Sequence, residues 1–262
     1  FADDAILRPY FANLHAPGGT RVTRNHPPRR GVDELDHEQM HPGVWLAFGD
    51  ISGIDFWRNR GRIRHLRFSE PPTMTDAELR FATQSQLETP DGQVLGTLSS
   101  RFLLASLPAD RILIWDATLS AQQGELAFGD QEEMGFGARV ATPLTEKNGG
   151  QLTSSTNLTT AAGTWGQPAA WCDYSGQIGD RTAGITLMAA PENFRASWWH
   201  NRDYGPFVAN PFGRSAMKQG QPSVVRVPAG EELRLRFAAV LHDGQDYEPA
   251  KAYQDFLRLI RP

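Results

Sequence analysis

The chain has 262 residues, of which 40% are hydrophobic and 21% charged, and its net charge is -4. That composition builds a folded core and excludes disorder as the main state. The basic residues are 23 Arg and 3 Lys, scattered without a block, so a nucleic-acid backbone is not an expected partner. Apolar runs stop far short of the ~20 residues that a membrane-spanning helix needs, and the single Cys172 excludes an internal disulfide.

The 25 Gly and 18 Pro fall between short alternating runs rather than in one linker, which is the pattern of many strands joined by turns. Strands are predicted near 10–14, 44–47 and 62–68, with a long loop over 18–42. A hairpin follows over 77–87 and 94–104, around the turn Thr89-Pro-Asp-Gly92. Residues 111–119 are apolar on both parities and predict a central strand covered on both faces. Further strands are expected at 135–141, 182–188 and 224–227, and a second long loop, rich in Thr, Ser, Asn and Gly, over 146–166. In 232–237, Leu233, Leu235 and Phe237 take one face while Arg234 and Arg236 take the other, as in a half-buried strand. The one clear helical pattern lies at 247–260, with Asp246 placed to cap it and Ala250, Tyr253, Phe256, Leu257 and Ile260 recurring at helical spacing. Without a repeat or a composition break, residues 1–262 read as one antiparallel sandwich domain. The chain starts at Phe1 rather than Met, so its compartment stays open between cytoplasm and export after removal of a signal.

Three stretches hold residues suited to chemistry. His37-Glu-Gln-Met-His41 spells the H-E-x-x-H pattern, which on a helix puts two imidazoles on one face and lets Glu38 activate a metal-bound water. Pro42 and the upstream Pro27-Pro28 argue against a helix there. A divalent ion held by His37 and His41 without protease chemistry is the stronger metal reading, and two ordinary loop histidines are as well supported. In 197–213, an extended chain puts His200, Arg202 and Tyr204 on one face with Trp198: a proton shuttle, a clamp for anions or hydroxyls, and a phenolic donor. The turn Asn210-Pro-Phe-Gly213 closes that stretch. The glycine-rich stretch 128–139 adds Glu132 or Glu133 as an acid or base, and ends in Arg139. Asp50 and Trp57 in 45–57, and Asp173 beside Trp171, pair carboxylates with aromatic rings, the chemistry that lines a sugar cleft. No G-x-S-x-G elbow, P-loop or Rossmann unit is present, which counts against serine hydrolases, kinases and dehydrogenases.

Arg8-Pro-Tyr-Phe11, Val22-Thr-Arg-Asn25, the Asp36-His37…His41 loop, Gly49-Asp50…Gly53-Ile-Asp-Phe-Trp57, Gly129-Asp130…Glu133, Trp171…Asp173-Tyr-Ser-Gly176 and His200…Arg202-Asp-Tyr-Gly205…Ala209-Asn-Pro-Phe-Gly213 together resemble the bacterial PmoA-like family, often labelled "methane oxygenase PmoA". The resemblance runs from Arg8 to Asp243. It departs at Glu38-Gln-Met-His-Pro42, where the commoner form reads Asp-His-Pro-His-His-Arg. It implies a β-sandwich protein of undefined function, encoded near sugar-utilisation and sugar-oxidoreductase genes.

The expectation is therefore an all-β protein: one large antiparallel β-sandwich, with the mutarotase-like supersandwich as one form that suits it, closed by a C-terminal helix. Its expected role is a carbohydrate-active enzyme of hydrolase or lyase type, acting on a glycoside or oxidised sugar by general acid–base chemistry. In that scheme His200 and Glu133 exchange protons, with His37 or His41 as second acid or base. Asn25, Asp50, Trp57, Arg139, Asp173, Arg202, Tyr204 and Asn210 hold the sugar. The alternatives are a non-catalytic sugar-binding module and a metal-dependent hydrolase at His37 and His41. No other cofactor, no nucleic acid and no membrane is expected, and the oligomeric state is open.

Overall fold

The computed structural model describes residues 5–244 and 246–261. The first strands are β1 (Tyr10–Phe11), β2 (Val44–Phe48), β3 (Arg62–Met74), β4 (Glu78–Glu88) and β5 (Val94–Ser106). Next come β6 (Asp110–Ala121), β7 (Glu125–Phe128), β8 (Met134–Arg139) and β9 (Gln151–Ser154), then the short helix α1 (Ala161–Thr164). The chain ends with β10 (Trp171–Ile178), β11 (Arg181–Ala189), β12 (Trp198–Trp199), β13 (Pro206–Asn210), β14 (Val225–Pro228), β15 (Leu233–Asp243) and helix α2 (Pro249–Leu259).

The strands form an eight-stranded sheet in the order β3-β4-β5-β6-β15-β11-β10-β9, a five-stranded sheet β1-β2-β8-β13-β12, and the ribbon β14-β7. Every named pairing is antiparallel. This is the all-β sandwich with a C-terminal helix that the sequence predicts. The β4–β5 hairpin turns where expected: Gly92, at φ 87°, donates its N–H to Thr89 O at 3.0 Å.

Strand parity sorts the side chains into layers. Leu233, Leu235, Phe237, Ala239 and Leu241 of β15 face the core between the sheets, with Phe136 of the opposite sheet stacked on Phe237. The other parity of the same strands, with Ile112, Ile114, Ala238 and Val240, is covered by Phe256 and Ala252 of α2. That second layer explains why β6 is apolar on both parities. A fully buried side chain of this kind contributes about 1.5–3 kcal/mol. Helix α2 starts at Pro249, whose missing N–H costs nothing in the first turn. Its N-cap is Glu248, without a side-chain cap bond, so Asp246 is not the cap.

The loop before β2 does not lie free. It wraps the outer face of the five-stranded sheet, where Ile6, Tyr10, Trp45, Ala47, Trp57 and Val208 form a third apolar cluster. Strand β3 is the edge of the eight-stranded sheet, and all of its residues except Ile63 are exposed. Among the described residues, no helix is long and apolar enough to cross a membrane.

Candidate functional site

The candidate site is built on the outer face of the five-stranded sheet. Alternation puts Arg139 and Gly137 of β8, Trp45 of β2 and Val208 of β13 on that face, while Phe136, Ala138, Phe207 and Ala209 point to the core. Gly137 makes room for the first ring: a Cβ there would lie 2.8 Å from Trp45 ring atoms and 2.9 Å from Val208 Cγ2. His41 stacks on Trp45 with centroids 5.2 Å apart, His37 packs on His41 at 5.1 Å, and Tyr204 stacks on His37 at 6.0 Å. Four rings thus rise as a column from the sheet towards solvent. Arg139 lies 4.7 Å from the Tyr204 centroid and braces the outer end.

Asp36 binds the loop to the sheet. Arg139 grips it with two bonds, Nη1 to Oδ2 at 3.0 Å and Nη2 to Oδ1 at 2.9 Å, and Arg24 Nη1 reaches Oδ1 at 3.2 Å. His37 Nδ1 lies 2.7 Å from Asp36 Oδ2. Arg24 also donates to the carbonyls of Glu34 and Asp36, at 2.9 and 2.7 Å, so the loop folds around its guanidinium. Burial alone would raise the Asp36 pKa, but the hydrogen bonds to Arg139 and His37 and the charges of both arginines outweigh it and hold the carboxyl far below the usual range. His41 behaves oppositely: burial and the neighbouring charges of Arg139, His37, Arg24 and Arg8 push it well below the usual imidazole range. It stays neutral, with its Nδ1 3.3 Å from Arg139 Nη1 as an acceptor.

Beside the column is a second imidazole–carboxylate pair. His200 follows β12, and its backbone N–H donates to Val208 O at 3.0 Å, which keeps it on the outer face. Its Nδ1 lies 3.0 Å from Glu132 Oε2, and Arg202 Nη2 donates to the same oxygen at 2.5 Å. His200 and then Arg202 hold the Glu132 carboxyl below its usual range. His200 is 5% exposed, and its Nε2 makes no hydrogen bond to the described residues. Burial raises the Tyr204 phenol, against the charges of Arg139 and Arg202, which belong to the first and the second pair. Trp165 closes the Arg202 side, its ring 5.8 Å from that guanidinium and half-buried.

Several expected residues hold this frame rather than face a ligand. Asn210 is fully buried; its amide donates to Gln131 O and Glu132 O at 2.8 and 2.9 Å and its carbonyl accepts from the N–H groups of Phe212 and Gly213. With every bond filled, it positions Glu132. Asn25 donates to Asp33 Oδ2 at 2.7 Å inside the loop, and Asp50 Oδ1 accepts from Gly53 N at 2.9 Å in a turn. Trp57 is 1% exposed beneath the loop. The carboxylate on His200 is Glu132; Glu133 instead pairs with Arg58 at 2.7 Å. Asp173 lies elsewhere: Cys172 and Tyr174 face the core, so Asp173 emerges on the far outer face of the eight-stranded sheet.

The H-E-x-x-H stretch is a turn, not a helix, with His37 at φ 51° and Glu38 exposed. Nor do His37 and His41 suit a divalent ion. His41 Nδ1 faces the Arg139 guanidinium, and no group of three or more His, Cys, Asp or Glu among the described residues is arranged to hold a metal. Sequence reasoning missed Arg24, Trp45, Arg58 and Trp165. For Arg24 the available signal was an arginine followed by a loop rich in free carbonyls; for the others no local pattern marks them.

Fold and site together define a β-sandwich protein with two carboxylate-held imidazoles on one sheet face. Residues 2–256 match a family of unknown function, DUF6807, and the chain belongs to it. No curated protein matches it. Among solved structures, the Slr1438 protein from Synechocystis sp. PCC 6803 is a distant likeness at 11% identity and a TM-score of 0.35, over 78% of this chain and 76% of its own.

Proposed function

We propose that the protein is a carbohydrate-active enzyme that cleaves or rearranges its substrate by general acid–base chemistry. The observation that carries this reading is His200, its Nδ1 3.0 Å from the Glu132 carboxylate and its Nε2 without a hydrogen bond to the described residues, beside Arg202. An imidazole held through one nitrogen by a carboxylate presents the other as a proton acceptor or donor. Asp36 holds His37 in the same way, and that ring is exposed, so the site carries a second imidazole for the opposite proton transfer. The half-buried Trp165 offers apolar surface to the C–H groups of a sugar, while Arg202 offers donors to its oxygens.

The test is turnover of a panel of glycosides and keto-sugars by wild type and His200→Ala. Removal of a general acid–base group costs about 10²–10⁴ in rate. Near-normal turnover by a folded His200→Ala variant would reject the assignment, as would saturable binding of a sugar by the wild type with no product across the panel.

A further inference from the structure

We infer a second ligand site on the opposite side of the sandwich, a pocket for a neutral polyhydroxylated ligand such as a saccharide unit. It goes beyond the acid–base reading and rests on different residues. A cavity of about 410 Å³ opens on the outer face of the eight-stranded sheet, between β9, β10, β11 and the start of α2. That is the size range of small-molecule sites, about 300–1,000 Å³.

The floor of the pocket is a built polar cluster. Asp173 is 4% exposed, and its Oδ1 accepts from Thr186 Oγ1 at 2.7 Å and lies 2.9 Å from His242 Nε2. Its Oδ2 receives no hydrogen bond from the described residues, although the side chain lines the cavity. His242, 2% exposed, is covered by Tyr247, whose ring stacks on it with centroids 3.6 Å apart. The Tyr247 hydroxyl is tied to Thr186 Oγ1 at 2.6 Å. That oxygen is left to the cavity, and the two partners on Oδ1 fix the direction of the carboxylate before any ligand arrives.

The rim identifies the ligand class. Gln151, Thr153, Ser175, Gln177 and Thr182 are neutral amides and hydroxyls, and such groups both donate and accept. A ligand hydroxyl does the same, and donates to the free oxygen of Asp173. An anion would meet the Asp173 charge. A metal ion needs several converging anionic or imidazole ligands, which the described residues do not assemble. The acid–base site makes no use of this cluster, because the alternation of β10 sends Asp173 away from it.

The experiment is ligand-observed NMR and calorimetry with methyl glucoside, methyl galactoside, maltose and cellobiose, run beside sodium glucuronate and calcium chloride. Wild type, Asp173→Asn, Gln151→Ala and His200→Ala are compared. At least one neutral saccharide is expected to bind saturably, with affinity lowered about tenfold or more by Asp173→Asn, as for loss of a charge-assisted hydrogen bond. Gln151 is exposed at the rim, so Gln151→Ala tests the pocket without disturbing the buried cluster, and a loss of about threefold is expected there. The His200→Ala variant should retain this binding, which separates the pocket from the acid–base site. No saturable binding of any neutral saccharide overturns the proposal. So does binding indifferent to both pocket variants, or a preference for glucuronate or calcium.

Discussion

Replacing Asp36 by Ala removes the one carboxylate shared by two buried arginines. Arg139, 1% exposed, would lose both of its bidentate bonds and, among the described residues, keep only His41 Nδ1 and the Tyr204 ring. Arg24 is as deeply buried but retains its carbonyl acceptors. Breaking one side of a buried ion pair costs about 3–5 kcal/mol. The Asp36 side chain is 33% exposed, and solvent screening lowers the expected loss to about 2–3 kcal/mol. For a domain of this size that corresponds to a fall in Tm of about 4–10 °C. Urea unfolding of wild type and variant measures it directly, and a loss under about 0.5 kcal/mol would show that the loop does not depend on this pair. The double variant Asp36→Ala/Arg139→Met should lose less than the sum of the two single changes, because it leaves no stranded charge. The pH dependence follows from the depressed Asp36 pKa. Its stabilisation is complete above the unfolded carboxylate value of about 3.9 and fades as pH falls towards the lower folded value. The gap between wild type and variant should therefore be constant near neutrality and narrow only in acid.

Three further tests address the frame of the site. Gly137→Ala sets a Cβ against the Trp45 ring and Val208, so a loss of about 1–3 kcal/mol and a change in tryptophan emission are expected. Tyr174→Phe removes a hydroxyl that accepts from Glu146 N at 2.7 Å and reaches the carbonyls of Arg202 and Asp203. It should cost about 1–2 kcal/mol and lower turnover with an unchanged pH profile, whereas a shifted profile would mean that Tyr174 acts on the proton transfer itself. Asn210→Ala strands the backbone groups on both sides of Glu132; destabilisation of at least about 2 kcal/mol by urea unfolding is the expected result.

Most of the sandwich was legible because strand parity and turn chemistry are local. The β4–β5 hairpin, β6 and β15 announce themselves through alternation and the Pro-Asp-Gly turn. Strands β10 and β13 went unread; in β10, Gly176 breaks the inward series of Cys172, Tyr174 and Ile178. The predicted loop over 146–166 hides β9, a strand of four residues at the sheet edge. His200 and Arg202 do meet, at Glu132, but the strand stops at Trp199 and Tyr204 sits in the turn that follows, so extended spacing does not account for its place. Their partners come from far along the chain: Glu132 is 70 residues from Arg202, and Asp36 is 103 from Arg139. No local pattern encodes such pairings, which is why Asn25, Asn210 and Trp57 read as ligand contacts when they are supports.

The exposed edge strand β3 bears on how this protein behaves at high concentration. A flat edge of thirteen residues would template another chain. Here the pairing with β4 slips between His65 and Arg67, again between Phe68 and Glu70, and between Glu70 and Thr73. Pro71 and Pro72 add two positions with no N–H to offer. An incoming strand would find only short stretches in register, interrupted before enough bonds accumulate to hold it. Phe68 and Met74 lie in water at this edge, and substitution of both prolines by Thr should make the protein aggregate at lower concentration by light scattering.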